Sequence, residues 1–141
     1  MISIVDTDAI IGLVSPADPL HQRAKRVSQG LQERDAYLVV SPTTLAEFSL
    51  VGQRWLGLTD MKKSLGFLLQ DIFITETIGV DAMHMAKELL EKQQSINHSF
   101  CDCCVMALAA RLHADCIFSF DLGYTKNGFV LAEEYLKKTR R

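Results

Sequence analysis

The chain has 141 residues, 48% of them hydrophobic and 23% charged, with a formal net charge of −2. That length supports one hydrophobic core and falls short of the size at which chains usually divide, so a single domain over 1–141 is expected. The composition argues against a disordered or repetitive protein, and the charge against a polyanion binder that works through a large basic face.

The first apolar run, ISIV at 2–5, leads directly into DTDAII. Asp6 and Asp8 interrupt the early apolar stretch, so neither a signal peptide nor a membrane span is expected, and the protein is expected to be cytoplasmic. Further apolar runs rich in β-branched and aromatic residues stand at 37–40 (YLVV), 72–74 (IFI) and 116–120 (CIFSF). Runs apolar on both faces suit a buried parallel sheet. Helical stretches lie between them at 21–33, 42–55, 61–69, 81–93 and 100–113. The alternation predicts an α/β fold, a central parallel sheet of four or five strands with helices on both faces. Ser41 before Pro42 and Ser99 before FCDCCVMALAARLH are helix-start signals. The latter helix is apolar almost all round apart from Asp102, which predicts deep burial against the sheet. The C-terminal GFVLAEEYLKKTRR fits a short edge strand followed by helix, or helix alone, and residues 137–141 are expected to be flexible.

Four cysteines, three of them crowded at Cys101, Cys103 and Cys104, lack the spacing of a disulfide framework and read as free thiols packed as small apolar residues. His21, His84, His98 and His113 are scattered and form no zinc-ligand cluster; only His98, just ahead of the buried helix, lies near the acids considered next. Arg54, Lys62, Lys63, Lys126 and the tail KKTRR are the candidate contacts to nucleic acid, each with solvated surface as its plain alternative.

Each conspicuous acid also has a local explanation. Asp6 is placed to cap the helix that follows the first strand. Glu47 has capping-box spacing from Thr44, and Asp102 from Ser99. Asp121 fits an ordinary turn in DLG. Together they say more, because groups just past the carboxyl ends of adjacent parallel strands converge on one crevice. Asp6, Glu47 and Asp121 fit that placement, and Asp102 joins them if its helix begins at the same edge. Four like charges at close range raise one another's pKa, and a divalent cation is the natural counter-charge. Oxygen-only ligands favour Mg²⁺ or Mn²⁺ over zinc.

In order and spacing, IVDTDAII with Asp6 and Thr7, TTLAEF with Glu47, SFCDCCVMALAARL with Asp102 and IFSFD with Asp121 resemble the four acidic motifs of the PIN-domain ribonucleases. Length and layout are similar to the VapC-type toxins of toxin–antitoxin pairs. The resemblance implies a three-layer α/β/α fold, homodimerisation, and inhibition by a cognate antitoxin protein. It implies that Asp6, Glu47, Asp102 and Asp121 hold one or two Mg²⁺ ions, with Mn²⁺ able to substitute, for hydrolysis of an RNA phosphodiester. Thr7 would orient Asp6 through its side chain, and Asp8 and Ser119 would support the site from behind. The chain departs from the family pattern at Asp8, where Ser or Asn is common, at Cys103 and Cys104, where alanines are common, and at Ser119, where Thr is frequent.

Two other readings compete. IVDTDAII also resembles the opening of haloacid-dehalogenase-type phosphatases, with Asp6 as nucleophile and Asp8 as acid/base, but the Gly-Asp pair that this chemistry needs later in the chain is missing. A silent binding scaffold would be expected to lack an acid, and none is lacking. Trp55, Leu56, Leu58, Phe67 and Leu68 could clip a partner helix, with ordinary core or dimer packing as the alternative.

Overall fold

The computed structural model describes residues 1–94 and 97–139, with the backbone alone at 71 and 72. In chain order the elements are β1 (Ile2–Val5), α1 (Thr7–Val14), α2 (His21–Gln32), β2 (Tyr37–Val40), α3 (Pro42–Trp55), α4 (Leu58–Phe67), a π-helical turn (Leu68–Ile72), β3 (Ile74–Thr75), α5 (Val80–Glu91), α6 (Phe100–Arg111), β4 (Cys116–Phe118), α7 (Gly123–Lys126) and α8 (Ala132–Lys138). All strand pairings are parallel, in the order β3-β2-β1-β4.

Side chains alternate across the strands and divide the core in two. Val5, Val40 and Phe118 pack with α1, α2, α3 and α8 through residues such as Ile10, Leu31, Phe48 and Leu136. Ile4, Val39 and Ile117 face the other way, onto α5 and the buried length of α6 from Cys103 to Ala109. That is the expected three-layer arrangement. It also explains the cysteines, which are free thiols: Cys103, Cys104 and Cys116 are buried as apolar groups and Cys101 is half-buried.

Four local features differ from the sequence reading or sharpen it. TDAIIGLV forms α1 directly after β1, a helix too short and too apolar to separate from a continuing strand by periodicity. Helix α4 starts at Leu58 rather than 61, because Gly57 at φ 78° turns the chain there. Its continuation through the π turn delays the third strand to Ile74–Thr75. At the C-terminus the edge strand shrinks to one bridge, Leu131 beside Ile117, and α8 follows at once. Of the tail expected to be flexible, Lys137 and Lys138 end α8 and Thr139 caps it, while Arg140 and Arg141 lie outside the described residues. Among the described residues no helix is long and apolar enough to cross a membrane.

Candidate metal centre

The carboxyl ends of β1 and β4 are tied together where Asp6 N donates to Phe118 O at 3.1 Å. From this edge Asp6 opens α1 as its N-cap, with Oδ1 accepting Thr7 N at 2.7 Å. Its second oxygen, Oδ2, accepts the phenolic hydroxyl of Tyr124 at 2.8 Å. The side chain is 5% exposed. Burial, with the charge of Asp8 next in importance, raises its pKa to about 7, against the lowering effect of both hydrogen bonds.

Glu47 projects from α3, whose N-cap is Ser41 accepting Thr44 N, so the Thr44–Glu47 spacing is not a capping box. Glu47 instead accepts a short hydrogen bond from Thr7 Oγ1. The role expected of Thr7 is therefore corrected: its hydroxyl holds Glu47, and only its backbone N–H serves Asp6. The reason is reach, since α1 turns the Thr7 side chain toward α3 while its N–H stays at the capped helix end. Asp102 does complete a capping box with Ser99, accepting Ser99 N on Oδ2 at 2.6 Å, while its Oδ1 lies 3.4 Å from Tyr124 Oη. Three acids from the end of β1, from α3 and from the first turn of α6 thus converge, each offering one oxygen within 4.8 Å of the others.

Asp121 is not in that trio. It lines the same cavity from the rim, its side chain 48% exposed, with Oδ1 accepting Gly123 N at 2.7 Å. Ser119 links it to Asp8: Ser119 Oγ donates to Asp8 Oδ2 at 3.0 Å and accepts Asp121 N at 3.1 Å. Asp8 Oδ2 also accepts Phe120 N at 2.7 Å, whereas its buried Oδ1 has no close hydrogen-bond partner among the described residues. Burial raises the Asp8 pKa as well. His98 is buried against Tyr124, ring centroids 5.6 Å apart, with Nδ1 lying 3.9 Å from Asp102 and 3.8 Å from Asp121.

The cavity has a volume of about 380 Å³. Its walls carry Asp6, Asp8, Glu47, Asp102, Asp121 and one acid not anticipated, Asp18, and among the described residues no lysine or arginine. Asp18 sits in an Asx turn that accepts Leu20 N, and its DP context signalled only a turn. A concave site lined by carboxylates, one of them buried with an unpartnered oxygen, is chemically suited to a hard divalent cation. Arg54, Lys62 and Lys63 are exposed and do not line this cavity; Lys126 borders an adjoining one beyond Asp121. Trp55, Leu58 and Phe67 are 75%, 53% and 61% exposed, so only Leu68 of that apolar set joins the core fully. Tyr124 escaped the sequence reading, since its one signal is a spacing of three from Asp121.

No curated protein matches the chain. Among solved structures it is similar to VapC20 of Mycobacterium tuberculosis, described as a sarcin–ricin loop cleaving toxin, with 23% identity and a TM-score of 0.80 over 92% of this chain and 97% of that one. It is also similar to VapBC2 of Rickettsia felis bound to a DNA fragment from their promoter, with 13% identity and a TM-score of 0.68 over 93% of this chain and 97% of that one. At these identities the likeness establishes the fold. The PIN domain family matches residues 3–130. With the match spanning nearly all of the chain, and with three motif acids gathered at one sheet edge, this protein belongs to the PIN domain family.

Proposed function

We propose that the protein is a divalent-metal-dependent endoribonuclease, and that it serves as the toxin of a toxin–antitoxin pair. The observation that carries this reading is the convergence of Asp6, Glu47 and Asp102 within 4.8 Å, in a cavity that no basic residue lines among the described residues. These three would hold Mg²⁺, with Mn²⁺ able to substitute, and Asp121 at the rim would complete the set. Bound there, the cation supplies Lewis acidity to phosphodiester hydrolysis, acidifying a water and balancing charge on the phosphate. Thr7 keeps Glu47 turned inward, and Asp8, through Ser119, holds the segment that carries Asp121. Exposed Trp55 offers a face on which an unpaired base can stack. Lys126, with Arg54, Lys62 and Lys63 farther out, supplies cations for flanking phosphates.

The toxin assignment rests on the similarity to VapC20 and VapBC2. A cognate antitoxin would cover Trp55, Leu58 and Phe67, and we place the protein in the cytoplasm as a homodimer. The phosphatase reading gives way to family membership.

The test is incubation of total RNA with the wild type and with Asp6→Asn, each in Mg²⁺, Mn²⁺ and EDTA, with product ends mapped. The expected result is discrete fragments with 5′-phosphates that require metal, and at least a ~100-fold loss in the variant. Equal cleavage by Asp6→Asn overturns the site. RNA binding without cleavage in any condition points instead to a scaffold.

A further inference from the structure

Tyr124 is fully buried in the α6-side core, and among the described residues its hydroxyl hydrogen-bonds to two of the converging acids. It donates to Asp6 Oδ2 at 2.8 Å and lies 3.4 Å from Asp102 Oδ1. A hydroxyl has a single proton, so the shorter contact to Asp6 is the one it satisfies. The ring is itself held: the His98 imidazole packs against one side, and the single-turn α7 that carries Tyr124 can approach His98 because Gly123 has no side chain. A Cβ at Gly123 would lie 2.3 Å from His98 Cε1.

We propose that Tyr124 is a positioning residue for the metal centre, its hydroxyl fixing the orientation of the Asp6 carboxylate and setting Asp6 beside Asp102 before a cation arrives. This inference rests on the metal-centre reading of Asp6, Glu47 and Asp102. Asp6 has both oxygens engaged, Oδ1 by the Thr7 N–H and Oδ2 by Tyr124. Each oxygen keeps a further lone pair, so two donors from opposite sides pin the carboxylate plane and leave it able to ligate. Without the hydroxyl the Oδ2 side loses its donor. The carboxylate is then free to rotate away from Asp102, whose negative charge repels it. Outer partners of this kind commonly change metal affinity by about 10- to 100-fold.

The experiment is Mn²⁺ titration by calorimetry on the full chain, comparing wild type, Tyr124→Phe and Asp6→Asn, with melting temperatures in EDTA recorded in parallel. Phenylalanine keeps the ring against His98 and removes only the hydroxyl. The expected result is an Mn²⁺ affinity about tenfold weaker in Tyr124→Phe, with a cooperative melt retained, and binding lost in Asp6→Asn. A purely structural role would lower the melting temperature of Tyr124→Phe and leave the affinity of the folded protein within about twofold of wild type, and that outcome overturns the proposal. Unchanged Mn²⁺ binding by Asp6→Asn would instead remove the metal centre itself, a result distinguishable from failure of Tyr124 alone.

Discussion

Asp6 shows how one side chain can serve the fold and a site together. A carboxylate has two oxygens, and here one caps α1 while the other meets Tyr124. Its cost to the metal-free protein follows from burial. Between its ordinary value of 3.8 and its folded value of about 7, the folded protein keeps a proton that the unfolded chain has lost. The folded state binds more protons in that window, so stability falls as pH rises through it and levels off above. At about 1.4 kcal/mol per pH unit the total is on the order of 4 kcal/mol. Asp8 acts in the same direction. Urea unfolding in EDTA from about pH 4 to about pH 8 is therefore expected to show declining stability, with a shallower decline in Asp6→Asn. An identical slope in the variant would show that Asp6 does not titrate in this way.

A helix terminus places Asp102. Ser99 caps α6 and Asp102 answers it, so the capping box delivers a carboxylate to the crevice at the sheet edge. On the opposite wall α7 must come close to the segment before α6, and Gly123 is where it does so. Gly123→Ala would put a Cβ into the His98 ring, and a buried ring has little room to give. The variant is expected to lose about 1–3 kcal/mol of stability by overpacking. Its Mn²⁺ affinity should fall with it, since Tyr124 is the next residue along the same turn. Denaturant midpoints for Gly123→Ala beside Gly128→Ala, a control at φ 86° with open space around it, separate crowding from backbone strain. If Gly123→Ala keeps the wild-type midpoint, the contact with His98 carries no cost.

For the whole molecule, mutual repulsion of the clustered acids means that folding and cation binding are linked. A ligand that binds only the folded state stabilises it by RT ln(1 + [L]/Kd), about 2.7 kcal/mol at 100 times Kd. Mn²⁺ or Mg²⁺ should raise the melting temperature of the wild type by several degrees, and that of Asp6→Asn or Asp102→Asn by much less. Equal shifts in all three proteins would mean that the cation binds elsewhere.

Much of this arrangement was legible in the residues alone. Continuous apolar runs announced a parallel sheet because both of its faces are covered, and the serine caps marked α3 and α6, with α3 spanning 42–55 as expected. The four motif acids stood out by order and spacing, and the candidate crevice followed from where parallel strands end. Asp6 announced a helix after β1 as its cap, but the extent of α1 could not be set because eight largely apolar residues have the same pattern as a longer strand, and β3 was displaced because the π turn prolonged the helix before it. Trp55, Leu58 and Phe67 had the periodicity of a core stripe, yet they stand exposed, since a hydrophobic pattern records which residues share a face and not what covers it. Spacing likewise could not say that Thr7 would hold Glu47 rather than Asp6, that Asp121 would stop at the rim, or that Tyr124 would reach under two carboxylates. Local pattern determines elements, because helix and strand geometry repeats over a few residues. Contacts such as Thr7 with Glu47 and Tyr124 with Asp6, 40 and 118 residues apart, depend on how those elements pack, and only the tertiary structure decides them.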